Sequence, residues 1–132
     1  DYWEPVYKQK DRPAALILNP DEFYILMSKE FVTVPINFAA EMRAYDTKVG
    51  EFRVHYAGFF DPGFGHKLAG GAGTRAVLEV RSHDVPFLIE DGQTVCRLIY
   101  ERMTQVPGRL YGAKDFGSNY QGQGLKLSKH FI

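Results

Sequence analysis

Glu79 stands in the middle of Thr74–Arg81, a stretch whose residue types alternate with a period of two. In a β-strand successive side chains leave on opposite faces. Ala76, Leu78 and Val80 therefore share one face, and Arg75, Val77, Glu79 and Arg81 share the other. A carboxylate centred in such a strand, partly shielded and held by arginines, has the chemistry of a general base that draws a proton from water. A cross-strand ion pair on a solvated sheet face uses the same residue types, and periodicity alone leaves both readings open.

Asp61 is the second candidate. It lies in Phe60-Asp61-Pro62-Gly63, where Asp before Pro-Gly is ordinary turn chemistry. Ala57-Gly58 ahead of the turn permits close backbone approach, and Phe64 behind it offers a ring. Such a turn can present backbone groups to a nucleobase, a carboxylate to a sugar hydroxyl and an aromatic face for stacking. The third group is Tyr111, Asn119, Tyr120, Gln121 and Gln123, spread through a glycine-rich stretch with Lys114, Lys126 and Lys129 nearby. Amides, hydroxyls and free backbone N–H groups are phosphate donors, and lysines add positive charge. A polar surface loop has the same composition.

Other chemistries find no support. His55, His66, His83 and His130 lack metal-ligand spacing and read as surface or turn residues. Cys96, the single cysteine, lies in an apolar run and reads as a core residue. One cysteine excludes a disulfide framework within the chain. It also excludes the Cys-x-x-Cys zinc site with which many deaminases activate water. There is no glycine-rich loop followed by Lys-Ser/Thr and no serine nucleophile elbow.

The elements that must position these residues are short. Candidate strands are Ala14–Leu18, Phe23–Ser28 and Phe31–Val34; Asn37–Arg43 fits one helical turn or a bent strand. Phe52, Val54 and Tyr56 mark a further strand, followed by the turn from Gly58 to Gly65 and a flexible patch, Ala69–Gly73. After Thr74–Arg81 come Val85–Ile89, the hairpin signal Glu90-Asp91-Gly92 and the β-rich Val95–Met103. Beyond Pro107 the chain reads as loop, its tail a lid or an arm across a partner subunit. Strands at short spacing with Gly and Pro turns, and no long amphipathic helix, predict an all-β sandwich or barrel.

The 132 residues suit one domain and, with Asp1 first, read as part of a longer chain. At 45% hydrophobic and 24% charged, the composition is that of an ordinary globular domain. Sixteen basic residues balance sixteen acidic ones, so nucleic acid is not the expected partner and any anionic ligand needs a local cluster of charge. No apolar run approaches the roughly 20 residues of a membrane helix, and no signal-peptide pattern opens the chain. The reading is cytoplasmic.

Ala57-Gly58-Phe59-Phe60-Asp61-Pro62-Gly63-Phe64-Gly65, then Ala76-Val77-Leu78-Glu79-Val80, Gly92-Gln93 and Tyr120-Gln121-Gly122-Gln123 together resemble the dCTP deaminase family of the dUTPase-like superfamily. Leu18-Asn19-Pro20-Asp21-Glu22-Phe23 and Val34-Pro35 fit its first strands. The chain most resembles the C-terminal half of the long, tandem-domain form. The resemblance implies a dUTPase-like (β-clip) distorted barrel or jelly roll of mostly antiparallel strands with little helix. It implies deamination of dCTP to dUTP without zinc, Glu79 being the base that activates water at C4 of cytosine. It gives Asp61 the deoxyribose 3′-hydroxyl, with Phe64 near the sugar. The base edge falls to the backbone near Ala57 and to Val77–Glu79, Leu78 included, and the triphosphate to Tyr111, Asn119 and Gln123, with Arg43, Gly58 and Tyr120 also on the substrate. It further implies Mg²⁺ accompanying the triphosphate, and a homotrimer with sites between subunits. Where the family has Ser-Ser-x-x-Arg, this chain has Ala39-Ala40-Glu41-Met42-Arg43; Asn119 replaces a lysine, and Ala69–Gly73 resembles an insertion. Alternative readings are a dUTP diphosphatase, a bifunctional enzyme, or a non-catalytic nucleotide-binding half of a tandem enzyme.

Overall fold

The computed structural model describes residues 3–6, 14–44, 52–54, 58–82, 84–114, 116, 118 and 120–125. Among them are eight strands: β1 (Ala15–Leu18), β2 (Phe23–Val32), β3 (Phe38–Ala44), β4 (Phe52–Val54), β5 (Phe59–Phe60), β6 (Thr74–Ser82), β7 (Phe87–Glu90) and β8 (Cys96–Arg102). They form three small antiparallel sheets, ordered β1-β7, β2-β6-β4 and β5-β3-β8. One 3₁₀ turn, Lys67–Ala69, is the only helical element among the described residues. No helix there is long and apolar enough to cross a membrane.

All three sheets turn their apolar faces onto one core. Leu18, Val34, Ala40, Met42, Phe60, Phe64, Ala76, Leu78 and Val80 are buried together, with Leu16, Leu26, Ile89 and Leu98 packed at the margin. Burying each such Val or Leu is worth about 1.5–3 kcal/mol. The alternation of β6 is the one expected, since Ala76, Leu78 and Val80 point inward while Glu79 and Arg81 are exposed. Cys96 is half-buried at the core margin. Burial, and then the Glu30 carboxylate, push its thiol above the ordinary range, so it stays protonated at neutral pH.

Three local expectations change. Phe23–Ser28 and Phe31–Val34 belong to one strand, β2, whose register shifts between Met27 and Phe31. Ser28 bridges the irregularity, its Oγ accepting from Ala76 N–H (2.9 Å) and donating to Glu30 O (2.8 Å), in place of a ladder carbonyl. Asn37–Arg43 resolves as strand β3, because β8 pairs with it from Phe38↔Arg102 to Ala44↔Cys96. The Glu90–Gln93 turn closes, with Gln93 N–H on Glu90 O at 3.1 Å and Gly92 at φ 86°. It joins no hairpin, however. β7 pairs with β1, where Leu16↔Ile89 and Leu18↔Phe87 match apolar side chains, and β8 pairs with β3.

Candidate functional site

Glu79 projects from the outer face of β6, opposite Ile25 of β2. On either side Phe23 faces Arg81 and Met27 faces Val77. Phe23 and Met27 are 39% and 37% exposed, so the carboxylate stands on an apolar surface open to solvent in the single chain. The expected clamp of arginines is not made. Arg75 turns away along the strand, its Nη1 donating to Ser28 O at 2.9 Å and its Cζ lying 4.6 Å from the Phe31 ring centroid. The irregularity in β2 puts that carbonyl and ring within reach of Arg75, whereas Glu79 lies four residues further along β6. Among the described residues no ion pair holds Glu79. Val77 is half-buried and Leu78 is 2% exposed, its side chain belonging to the core.

The Asp61 turn is rigidly seated. Val34 N–H donates to Phe64 O (2.8 Å), Gly63 N–H to Val34 O (3.2 Å) and Tyr111 N–H to Pro62 O (3.1 Å). Pro62–Gly65 is buried and Asp61 is exposed, so the loop is anchored beneath and offers its carboxylate above. Gly65 needs to be glycine. Its φ is +66°, and a Cβ there would drive into the Val32 carbonyl oxygen. Phe64 is corrected: its side chain is 4% exposed, edge-on to Phe60 at 5.0 Å and tilted against Tyr111 at 5.9 Å. It supports the turn from the core and has no face for stacking a ligand. The Gly58 carbonyl accepts Met42 N–H at 2.6 Å and is spent on β3. Ala57 lies outside the described residues.

The expected flexible patch is tied down. His66 Nδ1 accepts Leu68 N–H at 3.2 Å and caps the 3₁₀ turn, a turn role as read. Gly71 N–H donates to His66 O (2.9 Å) and Gly73 N–H to Gly65 O (2.8 Å). The C-terminal motif completes the restraint. Gln121 Oε1 accepts Gly65 N–H (3.0 Å), its Nε2 donates to Ala69 O (3.4 Å), and Gly122 N–H donates to Thr74 Oγ1 (3.0 Å). Gln123 Nε2 donates to Arg75 O (3.4 Å), placing the motif beside the start of β6. Through Gln123 this segment packs on its own chain; the tail read as a lid or an arm continues outside the described residues. Tyr120 is exposed; Asn119 lies outside the described residues, as do Lys126, Lys129, His55, His83 and His130.

Sequence reading missed Gln121 as an anchor. Its traces are Gly71 and Gly112, where a Cβ would meet the Gln121 side chain at 2.8 and 2.6 Å. Gln121→Ala should cost about 1–3 kcal/mol, because it strands the buried Gly65 N–H. Denaturant unfolding of the two proteins measures the difference directly.

Arg43 is exposed near the end of β3, and its Nε and Nη2 both donate to Glu41 Oε2, at 2.9 and 2.8 Å. The two side chains share the outer face of the β5-β3-β8 sheet, since Ala40 and Met42 point into the core. Glu79 stands on the outer face of the other three-stranded sheet. Both outer faces point away from one shared core, so a single chain does not direct Glu79 and Arg43 at the same ligand. The chain does bring together Asp61, Phe64 and Tyr111 at one turn, and Gln123 and Arg75 at the start of β6.

Short antiparallel sheets closed on one core, with an aspartate turn and a glutamate strand, define a dUTPase-like domain. The chain belongs to the family of the 2′-deoxycytidine 5′-triphosphate deaminase C-terminal domain, whose model matches residues 1–131. It is 30% identical over 132 residues to the dUMP-forming dCTP deaminase of Methanosphaera stadtmanae, covering 97% of this chain and 62% of that protein. It is 31% identical over 117 residues to the enzyme of the same name from Beutenbergia cavernae, covering 86% and 56%. A crystal structure of 2′-deoxycytidine 5′-triphosphate deaminase from Agrobacterium tumefaciens matches 76% of this chain at 66% identity and a TM-score of 0.68. The chain covers 30% of that protein's length, and about three-fifths of its curated relatives.

Proposed function

We propose that this chain is the Glu79-bearing part of a dCTP deaminase, converting dCTP and water to dUTP and ammonia. The observation that carries the reading is Glu79 itself, an exposed carboxylate on an apolar strand face within a domain of this family. Glu79 takes a proton from water as the oxygen bonds to C4 of cytosine. Glu79 delivers that proton to ring N3; the hydroxyl proton of the intermediate then passes by way of Glu79 to the exocyclic amine, the C4–N4 bond breaks, and ammonia leaves as the carbonyl forms. With one cysteine the chain builds no Cys-x-x-Cys zinc site, and activation of water falls to the carboxylate.

Asp61 meets the sugar 3′-hydroxyl from its anchored turn, which Phe64 and Tyr111 support from below. The backbone of Val77–Glu79, with Ala57 and Gly58, reads the base edge. Arg43, Asn119, Tyr120 and Gln123 meet the phosphates. The described residues bring no three His, Cys, Asp or Glu side chains together. Mg²⁺, when bound, would sit on the phosphate oxygens of the nucleotide and supply positive charge there. A second copy of the domain completes the site, in a homotrimer or a tandem equivalent. What supports this is the divergence of the Glu79 and Arg43 faces and the apolar residues around Glu79, which another protein surface would cover.

The name of the curated relatives favours a second reading, in which the triphosphate is cleaved as well. Incubation with dCTP and Mg²⁺, with ammonia and pyrophosphate measured separately, decides. Ammonia alone is the expected result, and ammonia with pyrophosphate establishes the bifunctional reading. Pyrophosphate from dUTP without ammonia from dCTP makes the protein a diphosphatase, and binding with neither product makes it a non-catalytic nucleotide domain.

A further inference from the structure

The Gln121 side chain joins the Asp61 turn to the C-terminal motif. Its Oε1 accepts Gly65 N–H at 3.0 Å and its Nε2 donates to Ala69 O at 3.4 Å, so one carboxamide spans the turn and the 3₁₀ segment behind it. The carboxamide lies in a slot of glycines. A Cβ on Gly112 would come within 2.6 Å of its Cδ, and one on Gly71 within 2.8 Å of its Nε2. On the turn side, Phe64 N–H donates to Asp61 O at 3.1 Å, which ties Gly65 closely to the Asp61 carboxylate. On the motif side, Ser118 Oγ accepts both Tyr120 N–H (3.2 Å) and Gln121 N–H (2.9 Å), and Gln123 N–H closes on Tyr120 O at 3.4 Å. Tyr120 and Gln123 thus sit on one bend whose hub is Gln121, with Asp61 at the other end of the connection.

We propose that Gln121 is a positioning residue that fixes the spacing between a sugar subsite at Asp61 and a phosphate subsite at Tyr120 and Gln123, so that filling one subsite pre-orders the other. The proposal rests on the nucleotide-binding reading of those residues and deepens it into a selectivity for phosphate-chain length. Gln121 itself touches no ligand, because both ends of its carboxamide are engaged by backbone. Without it, Gly122 N–H still has Thr74 Oγ1 and Gln123 Nε2 still has Arg75 O, so the motif stays on β6 and loses its link to the turn. A ligand that spans both subsites must then order them itself, which weakens its binding. A ligand that reaches only the turn has nothing to lose.

The test is calorimetric titration of the protein with dCTP and with dCMP, alongside KM and kcat for ammonia release. Gln121→Ala should weaken dCTP binding about 10-fold and dCMP binding less than about 2-fold, with KM raised in step and kcat changed less than about 3-fold. A residue that serves stability alone gives the opposite split, a lower kcat from a smaller folded fraction at unchanged KM. Ser82→Ala supplies that comparison. It removes a buried hydroxyl that donates to Val85 O, away from both subsites, and should lower stability while leaving both affinities unchanged. Gln121→Glu keeps the outline and the acceptor for Gly65 N–H but turns a bare oxygen on Ala69 O. Protonation restores the donor, so relative to the unaltered protein its dCTP affinity should be about 10-fold down near pH 8 and recover as the pH falls towards about 5. Unchanged dCTP affinity in Gln121→Ala, an equal loss for dCMP, an equal loss in Ser82→Ala, or no recovery of Gln121→Glu at low pH overturns the proposal. So does an unaltered protein that does not bind dCTP. Binding of the expected pattern without ammonia removes the deaminase and leaves Gln121 in its role; ammonia release with unchanged KM in Gln121→Ala does the reverse.

Discussion

Glu79→Gln is expected to lower ammonia release from dCTP by about 10²–10⁴-fold, the contribution of a positioned general base. Dissociation constants for dCTP should change little, because the amide keeps the outline of the carboxylate and loses only its ability to hold a proton. The loss belongs in kcat, which separates a group acting on the reaction from one that merely binds substrate. Glu79 is exposed and free of ion pairs among the described residues, so the exchange should shift stability by no more than about 0.5 kcal/mol. Loss of activity therefore cannot be ascribed to unfolding, and a melting curve run alongside verifies it. Turnover equal to that of the unaltered protein would take Glu79 out of the chemistry.

The fold was legible where neighbours in sequence decide it. In Thr74–Arg81 a period of two is enough to say which side chains go in, and the buried set Ala76, Leu78 and Val80 follows. Where distant partners decide, the reading failed for identifiable reasons. Ser28-Lys29-Glu30 looks like a break between strands, yet the Ser28 hydroxyl satisfies an amide 48 residues away. Phe64 looks like a ring offered by a turn; the segment that brings Tyr111 over it lies far along the chain. Ala69–Gly73 looks flexible because its glycines lack side chains. Those glycines instead admit Gln121 and a close backbone crossing between Gly65 and Gly73.

The candidate site was legible as residue types and not as geometry. Glu79, Asp61 and Arg43 each fall on an exposed, well-supported position. Their separation onto two sheet faces is a property of closure around a core, which no local pattern encodes. That the arginines flanking Glu79 do not hold it follows from the irregularity in β2, itself a long-range feature. An open carboxylate is poorly placed to act as a base while bulk water competes for every contact. Covering the apolar strip of Phe23, Ile25, Met27 and Val77 with a second surface would desolvate Glu79 and supply the missing phosphate cations in one step.

This division of the site has a decisive consequence. Glu79→Gln and Arg43→Ala should each be inactive alone, one lacking the base and the other a phosphate cation. Dissociated together and reassembled in equal amounts, they should regain activity. In a cyclic assembly with random mixing, about a quarter of the sites join an intact Glu79 to an intact Arg43 from the neighbouring copy. Ammonia release from the mixture at roughly a quarter of the unaltered rate is the predicted result; a mixture as inert as either variant by itself would contradict a site shared between copies.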